Sequence, residues 1–264
     1  MTTLTITVDP SSPLPSYAMT LATLPVSFAG HGDIATADVV HCSGAGDWTR
    51  RASELIEQGA RALIISDPEP ADPQDVRRLL DTAQQHSTAV ELAEPYAGDP
   101  ALSVHAAALT AHLAGLTALV ITENTPDLTP DAAALSIARL VRALGRTLTL
   151  TSIRSHADTV FVNGTAGELL VQGLVTRSRA GVQQRVQGLG FGRTLDIRLL
   201  GSANARPSEI TVSTMGGETR LSTTYETAER TAWTRLHCTL TAGQRDSTSL
   251  AGFADDLDTI HAQL

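Results

Sequence analysis

The feature that most constrains the fold is a change of period partway along the chain. Up to about residue 146, short apolar runs alternate with amphipathic helical stretches, and from Thr147 onward strand-like segments follow one another with little but turns between them. Short apolar strands separated by helices predict parallel βαβ units. Strands in succession after such units predict a second, open sheet of α+β type.

In the first half, Ala37-Asp-Val-Val-His-Cys42 reads as a strand, Asp47 as the N-cap of a helix ending at Gly59, and Ala62–Ser66 as the next strand. Asp72 caps a second helix with Pro73 in its first turn, and Val76, Leu79, Leu80 and Ala83 share its apolar face. Thr88–Leu92 is a third strand. Asp99-Pro100 opens an alanine-rich helix to about Gly115, Thr117–Thr122 is strand-like, and Thr129-Pro130-Asp131 starts a helix stopped by Gly145. Later strands are expected at Leu148–Ile153, Thr159–Val162, Glu168–Thr176, Arg193–Leu200, Glu209–Ser213, Thr219–Thr224 and Trp233–Ala242. Asn163-Gly164 and Gly216-Gly217 read as hairpin turns. A final amphipathic helix starts near Thr248, and the Pro-, Ser- and Gly-rich stretch from Asp9 to Gly32 reads as irregular. The expected fold is α/β plus α+β. A truncated Rossmann-like parallel sheet spans residues 1–98, and an open, mainly antiparallel sheet with helices on one face spans 99–264.

Composition narrows the function. A net charge of −9 argues against nucleic acid, which selects basic surfaces. No stretch is long and apolar enough to span a membrane, and the N-terminus lacks the basic start and apolar run of a signal peptide. Cys42 and Cys238 read as reduced core residues, so a cytoplasmic protein is expected, and the lysine-free, Ala/Arg/Thr-rich bias suggests a high-GC bacterial source. All 19 basic side chains are arginine, so no residue can form a Schiff base or act as an amine base.

Four landmarks resemble the glucose–fructose oxidoreductase and inositol dehydrogenase family. They are the strand, helix and Glu-Gln-Gly-Ala-Arg-Ala-Leu-Ile-Ile stretch from Ala37, Ser66-Asp67-Pro68, Glu94-Pro-Tyr-Ala-Gly-Asp-Pro100, and the helix from Pro130 to Gly145. The resemblance covers about residues 36 to 264. It implies a nicotinamide-dependent sugar-type dehydrogenase, with a glycine-rich phosphate cradle, a Glu-Lys-Pro lysine and a histidine on the helix. This sequence departs from each. No G-x-G-x-x-G precedes Ala37, the nearest match being Gly30-His31-Gly32, and the short N-terminal stretch leaves no room for the strand whose acidic end holds a ribose. The lysine position is Asp67 and the histidine position is Leu135, while Asp131 matches the family's aspartate. No cofactor is therefore expected.

By the same analogy Ser66, Asp67, Tyr96, Asp131 and His156 converge on a cleft, with Asp67, Asp131, His156 and Tyr96 as candidate catalytic residues. A carboxylate pair Asp67/Asp131 suits acid–base work such as dehydration, epimerisation, cyclisation or hydrolysis. The plainer alternative is that both aspartates only cap turns beside Pro68 and Pro130. Four further groupings each have a structural alternative. Ser43-Gly44-Ala45-Gly46-Asp47 could cradle an anion or be a simple turn. His105 and His112 share a helix face, but about 10 Å of rise separates them, too far for one metal. His237-Cys238 could form a reactive pair only if a strand did not turn them apart. Arg177, Arg179, Arg185 and Arg193 could bind an anion or line a solvated loop.

Three readings follow: a non-redox homologue with its cleft reused for cofactor-independent chemistry or for binding a small biosynthetic intermediate; an accessory pseudo-oxidoreductase, pairing through its open sheet with itself or a catalytic partner; and an atypical NAD(P)-dependent oxidoreductase.

Overall fold

A computed structural model of the chain describes residues 3–11, 22, 24, 27–30, 32–179, 181, 183–200, 206–244 and 247–263. The chain forms two compact units, one running up to Glu94 together with Glu229–Leu257, the other comprising Pro95–Ala228 and the residues from Asp258. A single cut between 98 and 99 does not describe this division, because the chain returns to the first unit after Ala228.

Among the described residues the first unit holds five strands, β1 (Leu4–Val8), β2 (Phe28–Gly30), β3 (Val39–Ser43), β4 (Ala62–Ser66) and β5 (Ala89–Ala93), all parallel, in the order β2-β1-β3-β4-β5. Helices α1 (Trp48–Glu57) and α2 (Pro73–Gln85) make the crossovers after β3 and β4. Strands β3 to β5 are buried almost throughout, as a parallel sheet covered on both faces requires. Ile6, Val39 and Ile64 lie on one face, against Trp233 and Leu236 of α6 (Ala228–Thr241). Alternation along the strands turns Val40, Cys42, Leu63 and Ile65 to the other face. The outer edge of β5 is closed by hydroxyls: the Val90 and Leu92 N–H groups donate to Ser247 (3.2 Å) and Ser249 (3.3 Å), at the start of α7 (Thr248–His261).

Two expectations fail here. The first strands are present, so the parallel sheet is not cut down to three strands, and there is room for β2 with Asp33 just beyond it. β2 is three residues long, too short for a period to show. Most of the link between them lies outside the described residues, as does His31 of Gly30-His31-Gly32. Residues 233–241 are helical rather than extended, because Trp233, Leu236 and Leu240 recur at helical spacing against the sheet. Cys238 is exposed on that helix and Cys42 is buried in β3; neither is in a disulfide.

Among the described residues the second unit is built on eight strands: β6 (Ala118–Thr125), β7 (Thr149–His156), β8 (Thr159–Ala166), β9 (Leu169–Arg177), β10 (Gln183–Gly190), β11 (Arg193–Leu200), β12 (Glu209–Thr214) and β13 (Gly217–Arg220). Their order is β13-β12-β11-β10-β6-β9-β8-β7, antiparallel except between β6 and β9. Burial alternates along β8 and β9, so one face is covered and one is open. Helix α5 (Pro130–Ala143) lies on the covered face, close enough that a Cβ at Gly173 would stand 2.9 Å from Ile137 Cγ1.

Residues 183–190, read as part of a loop, form β10 in the middle of this sheet. Asn163-Gly164 is not a turn but lies inside β8, where a Cβ at Gly164 would meet the Thr149 carbonyl oxygen at 2.4 Å. The hairpin turns instead at Ala157 (φ 49°) and Asp158. The helix expected from Asp99 to Gly115 is two, α3 (Pro100–Val104) and α4 (Ala106–Leu113), parted at His105 with φ −101°.

Candidate functional site

From β1 the chain steps to β2 on one side and to β3 on the other, so the winding of the first sheet reverses between β1 and β3. In open parallel sheets, ligands sit in the crevice beyond the carboxyl ends of the strands at such a reversal. The residues there are Asp9, directly after β1, and the Ser43-Gly44-Ala45-Gly46-Asp47 turn after β3.

Asp9 is fully buried, and its N–H donates to the His41 carbonyl (2.9 Å), keeping it on the ladder. Its carboxylate is held by Arg51 of α1 in a two-pronged contact, Nε to Oδ2 at 2.8 Å and Nη2 to Oδ1 at 2.6 Å. The Ser11 N–H (3.0 Å) and hydroxyl (2.8 and 2.9 Å) donate to the same carboxylate. Burial alone would push the Asp9 carboxyl up, but the hydrogen bonds from Arg51 and Ser11 outweigh it and hold it below the ordinary range. The same bonds raise Arg51, whose Nη1 also reaches Glu54 at 3.2 Å.

Three donors of the glycine-rich turn are likewise engaged within the chain. Gly44 N–H donates to the Ser66 carbonyl (2.7 Å), Ala45 N–H to Ser43 Oγ (3.2 Å), and Gly46 N–H to Glu69 Oε2 (2.9 Å). Plain turn chemistry accounts for the loop. Asp47 makes no side-chain cap bond and pairs with Arg50 instead. A Cβ at Gly44 would stand 2.3 Å from Pro68 Cα, so only glycine allows this turn to abut the Asp67-Pro68 segment.

Asp67 follows β4 with φ 52°, a left-handed conformation that aspartate tolerates better than most residues, and its N–H donates to the Ala93 carbonyl at 3.0 Å. Its side chain reaches solvent, yet the protein packed around its base raises the carboxyl by desolvation. Leu135 is 4% exposed on α5 and has no proton to transfer. Asp131 sits in the first turn of that helix, where a carboxylate favours the helix dipole, while Thr129 makes the cap bond to Ala132 N–H (3.3 Å). Tyr96 is buried in the turn before α3, and His156 is exposed at the end of the edge strand β7. Asp67 belongs to the first unit, and Tyr96, Asp131 and His156 to the second. Among the described residues Asp131 and His156 share no hydrogen bond.

The other groupings resolve to structural roles. His105 and His112 bond through Nε2 to the Ser222 (2.8 Å) and Thr194 (2.9 Å) carbonyls. Arg185 forks Asp196 with two bonds of 2.8 Å, and Arg193 lies over Gly115, so the arginines do not converge. His237 lies edge-on to Phe28 at 5.4 Å. Among the described residues no group of His, Cys, Asp and Glu could hold a metal ion, and no helix is long and apolar enough to cross a membrane.

Sequence reasoning missed Asp9, Arg51 and two buried groups. On β3, His41 is 1% exposed, with Nε2 2.7 Å from Ser66 Oγ and its ring edge-on to Trp233, and burial lowers its pKa to about 4. In the second sheet, Glu123 accepts from Ser136 Oγ (2.5 Å) and Gln184 Nε2 (2.8 Å), and burial raises its carboxyl. His41 is a lone polar residue between apolar neighbours, the signal that marks it, whereas Glu123 sits among Thr122, Asn124 and Thr125 and carries no such signal.

No protein-family model matches the sequence, and no curated protein does. Solved structures do match in fold. A variant of KijD10, a 3-ketoreductase from Actinomadura kijaniata in complex with TDP-benzene and NADP, superposes with a TM-score of 0.76 at 11% identity, covering 99% of this chain and 96% of that one. The aldose-aldose oxidoreductase from Caulobacter crescentus complexed with glycerol gives 0.69 at 11% identity, covering 99% and 88%. UDP-N-acetylglucosamine 3-dehydrogenase GnnA from Acidithiobacillus ferrooxidans gives 0.67 at 12% identity, covering 97% and 87%. The chain therefore has the two-part fold of sugar-type oxidoreductases: a Rossmann-like parallel sheet and a mixed, mostly antiparallel sheet with helices.

His41 gives a pH dependence of stability. Its folded pKa of about 4 lies below the ordinary value of 6.5, so between these values the unfolded chain binds more protons. Its contribution is complete above pH 6.5 and falls as pH drops toward 4, by about 3 kcal/mol in all. Asp67, Asp99 and Glu123, raised by burial, act in the opposite sense on acidification. Urea unfolding of wild type and His41→Gln across this range isolates the histidine: the stability difference between them should shrink as pH falls, and a difference independent of pH contradicts it.

Proposed function

We propose that this chain is a non-redox homologue of sugar-type oxidoreductases, using its site for cofactor-independent acid–base chemistry on, or binding of, a small sugar-like biosynthetic intermediate. The observation that carries the reading is Asp67. An acidic side chain with a raised carboxyl stands at the carboxyl end of β4, at the position where the resemblance implies a lysine. Buried Leu135 stands where it implies a proton-transferring histidine. Both groups expected to move protons during hydride transfer are thus replaced, one by a group that can still act as acid or base.

A nicotinamide dinucleotide, as named with KijD10, fits these residues poorly. Its pyrophosphate would need free backbone N–H groups after β1. Among the described residues there, Pro10 carries none and the Ser11 N–H is already bonded to Asp9. The names of the structural neighbours support sugars and nucleotide sugars as the ligand class.

A thermal-shift panel of sugars and nucleotide sugars, run beside an NADPH-consumption assay with keto sugars, tests this reading. One ligand should stabilise the wild type with no NADPH consumed, and Asp67→Asn should weaken that ligand about tenfold. NADPH consumption by the wild type would overturn the reading in favour of an oxidoreductase.

A second reading, an accessory subunit pairing through its open sheet, is favoured by one apolar row. Leu189, Ala118 and Leu170 lie side by side on β10, β6 and β9, with Leu170 63% and Leu189 46% exposed. Sedimentation should then find a dimer in wild type and a monomer in the Leu170→Asp/Leu189→Asp variant. A wild type that sediments as a monomer, alone and with candidate partners, excludes it.

A further inference from the structure

The groups gathered around Asp9 form an anion-binding set: a guanidinium fork, a backbone N–H and a hydroxyl, at the switch point of a parallel sheet. All of them are spent on a carboxylate belonging to the chain itself. We infer that Asp9 is a built-in anion that occupies the first unit's anion crevice and keeps phosphate groups out of it.

Three observations carry this. The carboxylate is fully buried, whereas the Arg51 side chain is 25% exposed, so Arg51 faces outward from the crevice while pointing its fork inward. An incoming phosphate could recruit Arg51 only by stranding a buried, unpaired carboxylate, the arrangement that makes breaking a buried ion pair so costly. In the neighbouring turn the Gly44, Ala45 and Gly46 N–H groups are already bonded, the last of them to Glu69. Besides Asp9, Arg51 has one described partner, Glu54, a 3.2 Å contact at the rim.

The inference rests on the non-redox reading only for the native chain's indifference to phosphates. It adds that the donors remain in place and can be released by one isosteric change. Asp9→Asn keeps the side-chain shape and an acceptor for Ser11 while removing the charge that holds Arg51, and adding Glu54→Gln removes the rim partner.

Calorimetric titration of the full chain with inorganic pyrophosphate and with NADP tests the idea. The wild type should show no saturable binding at millimolar concentration. Asp9→Asn should bind pyrophosphate about tenfold or more tightly, Asp9→Asn/Glu54→Gln at least as tightly, and Asp9→Asn/Arg51→Gln should lose the gain. Saturable NADP binding by the wild type overturns this inference and the non-redox reading together. Variants that melt cooperatively yet gain no pyrophosphate affinity overturn this inference alone. If the Asp9 variants do not fold, phenylglyoxal labelling of the wild type decides. Arg51 should react more slowly than exposed Arg61, with added pyrophosphate making no difference; labelling of Arg51 as fast as Arg61, or protected by pyrophosphate, overturns it.

Discussion

A carboxylate with no exposed surface has to be paired, and in the first unit Asp9 is paired by Arg51 across 42 residues of sequence. Removing Arg51 would leave the buried Asp9 charge uncompensated, a loss of about 3–5 kcal/mol in comparable pairs. The pair ties the end of β1 to the first turn of α1, and so fixes the two elements that flank the reversal in strand order. It also surrounds buried Cys42: desolvation chiefly, with the Asp9 charge adding, pushes that thiol up to about 12, so it stays protonated and unreactive. At this reversal the Asp9 carboxylate is part of the packed interior.

The next carboxyl ends follow the same pattern of internal closure. Gly44 packs on Pro68, Glu69 bonds Gly46, and the Trp48 indole donates to the Glu69 carbonyl at 3.0 Å. Asp67 stands out from this closure, its backbone in a left-handed conformation and its side chain reaching solvent. The second unit is quieter chemically: its buried Glu123 is enclosed by Ser136 and Gln184 beneath α5 and faces no solvent.

The sequence made β4, α2 and α5 legible because each carries a local signal: an unbroken apolar run, or a capping residue followed by proline. The strands of the second sheet that alternate cleanly were legible for the same reason. What stayed hidden depended on distant partners. β10 reads Gln-Gln-Arg-Val-Gln-Gly-Leu-Gly and is a strand because β6 and β11 supply its ladders. α6 is rich in threonine, which favours strands, and becomes a helix because Trp233 packs on Ile6 and Ile64. Of the candidate residues, Asp67 and Leu135 could each be singled out from the resemblance, whereas the Asp9–Arg51 pair could not, since nothing in either local stretch announces the other.

The most direct test of the account is a crystal structure of the chain grown with NADP at high concentration. It should show Arg51 still forked onto Asp9 and no dinucleotide beyond β1 and β3. A pyrophosphate seated on the backbone after β1, with Arg51 turned away from Asp9, would contradict it.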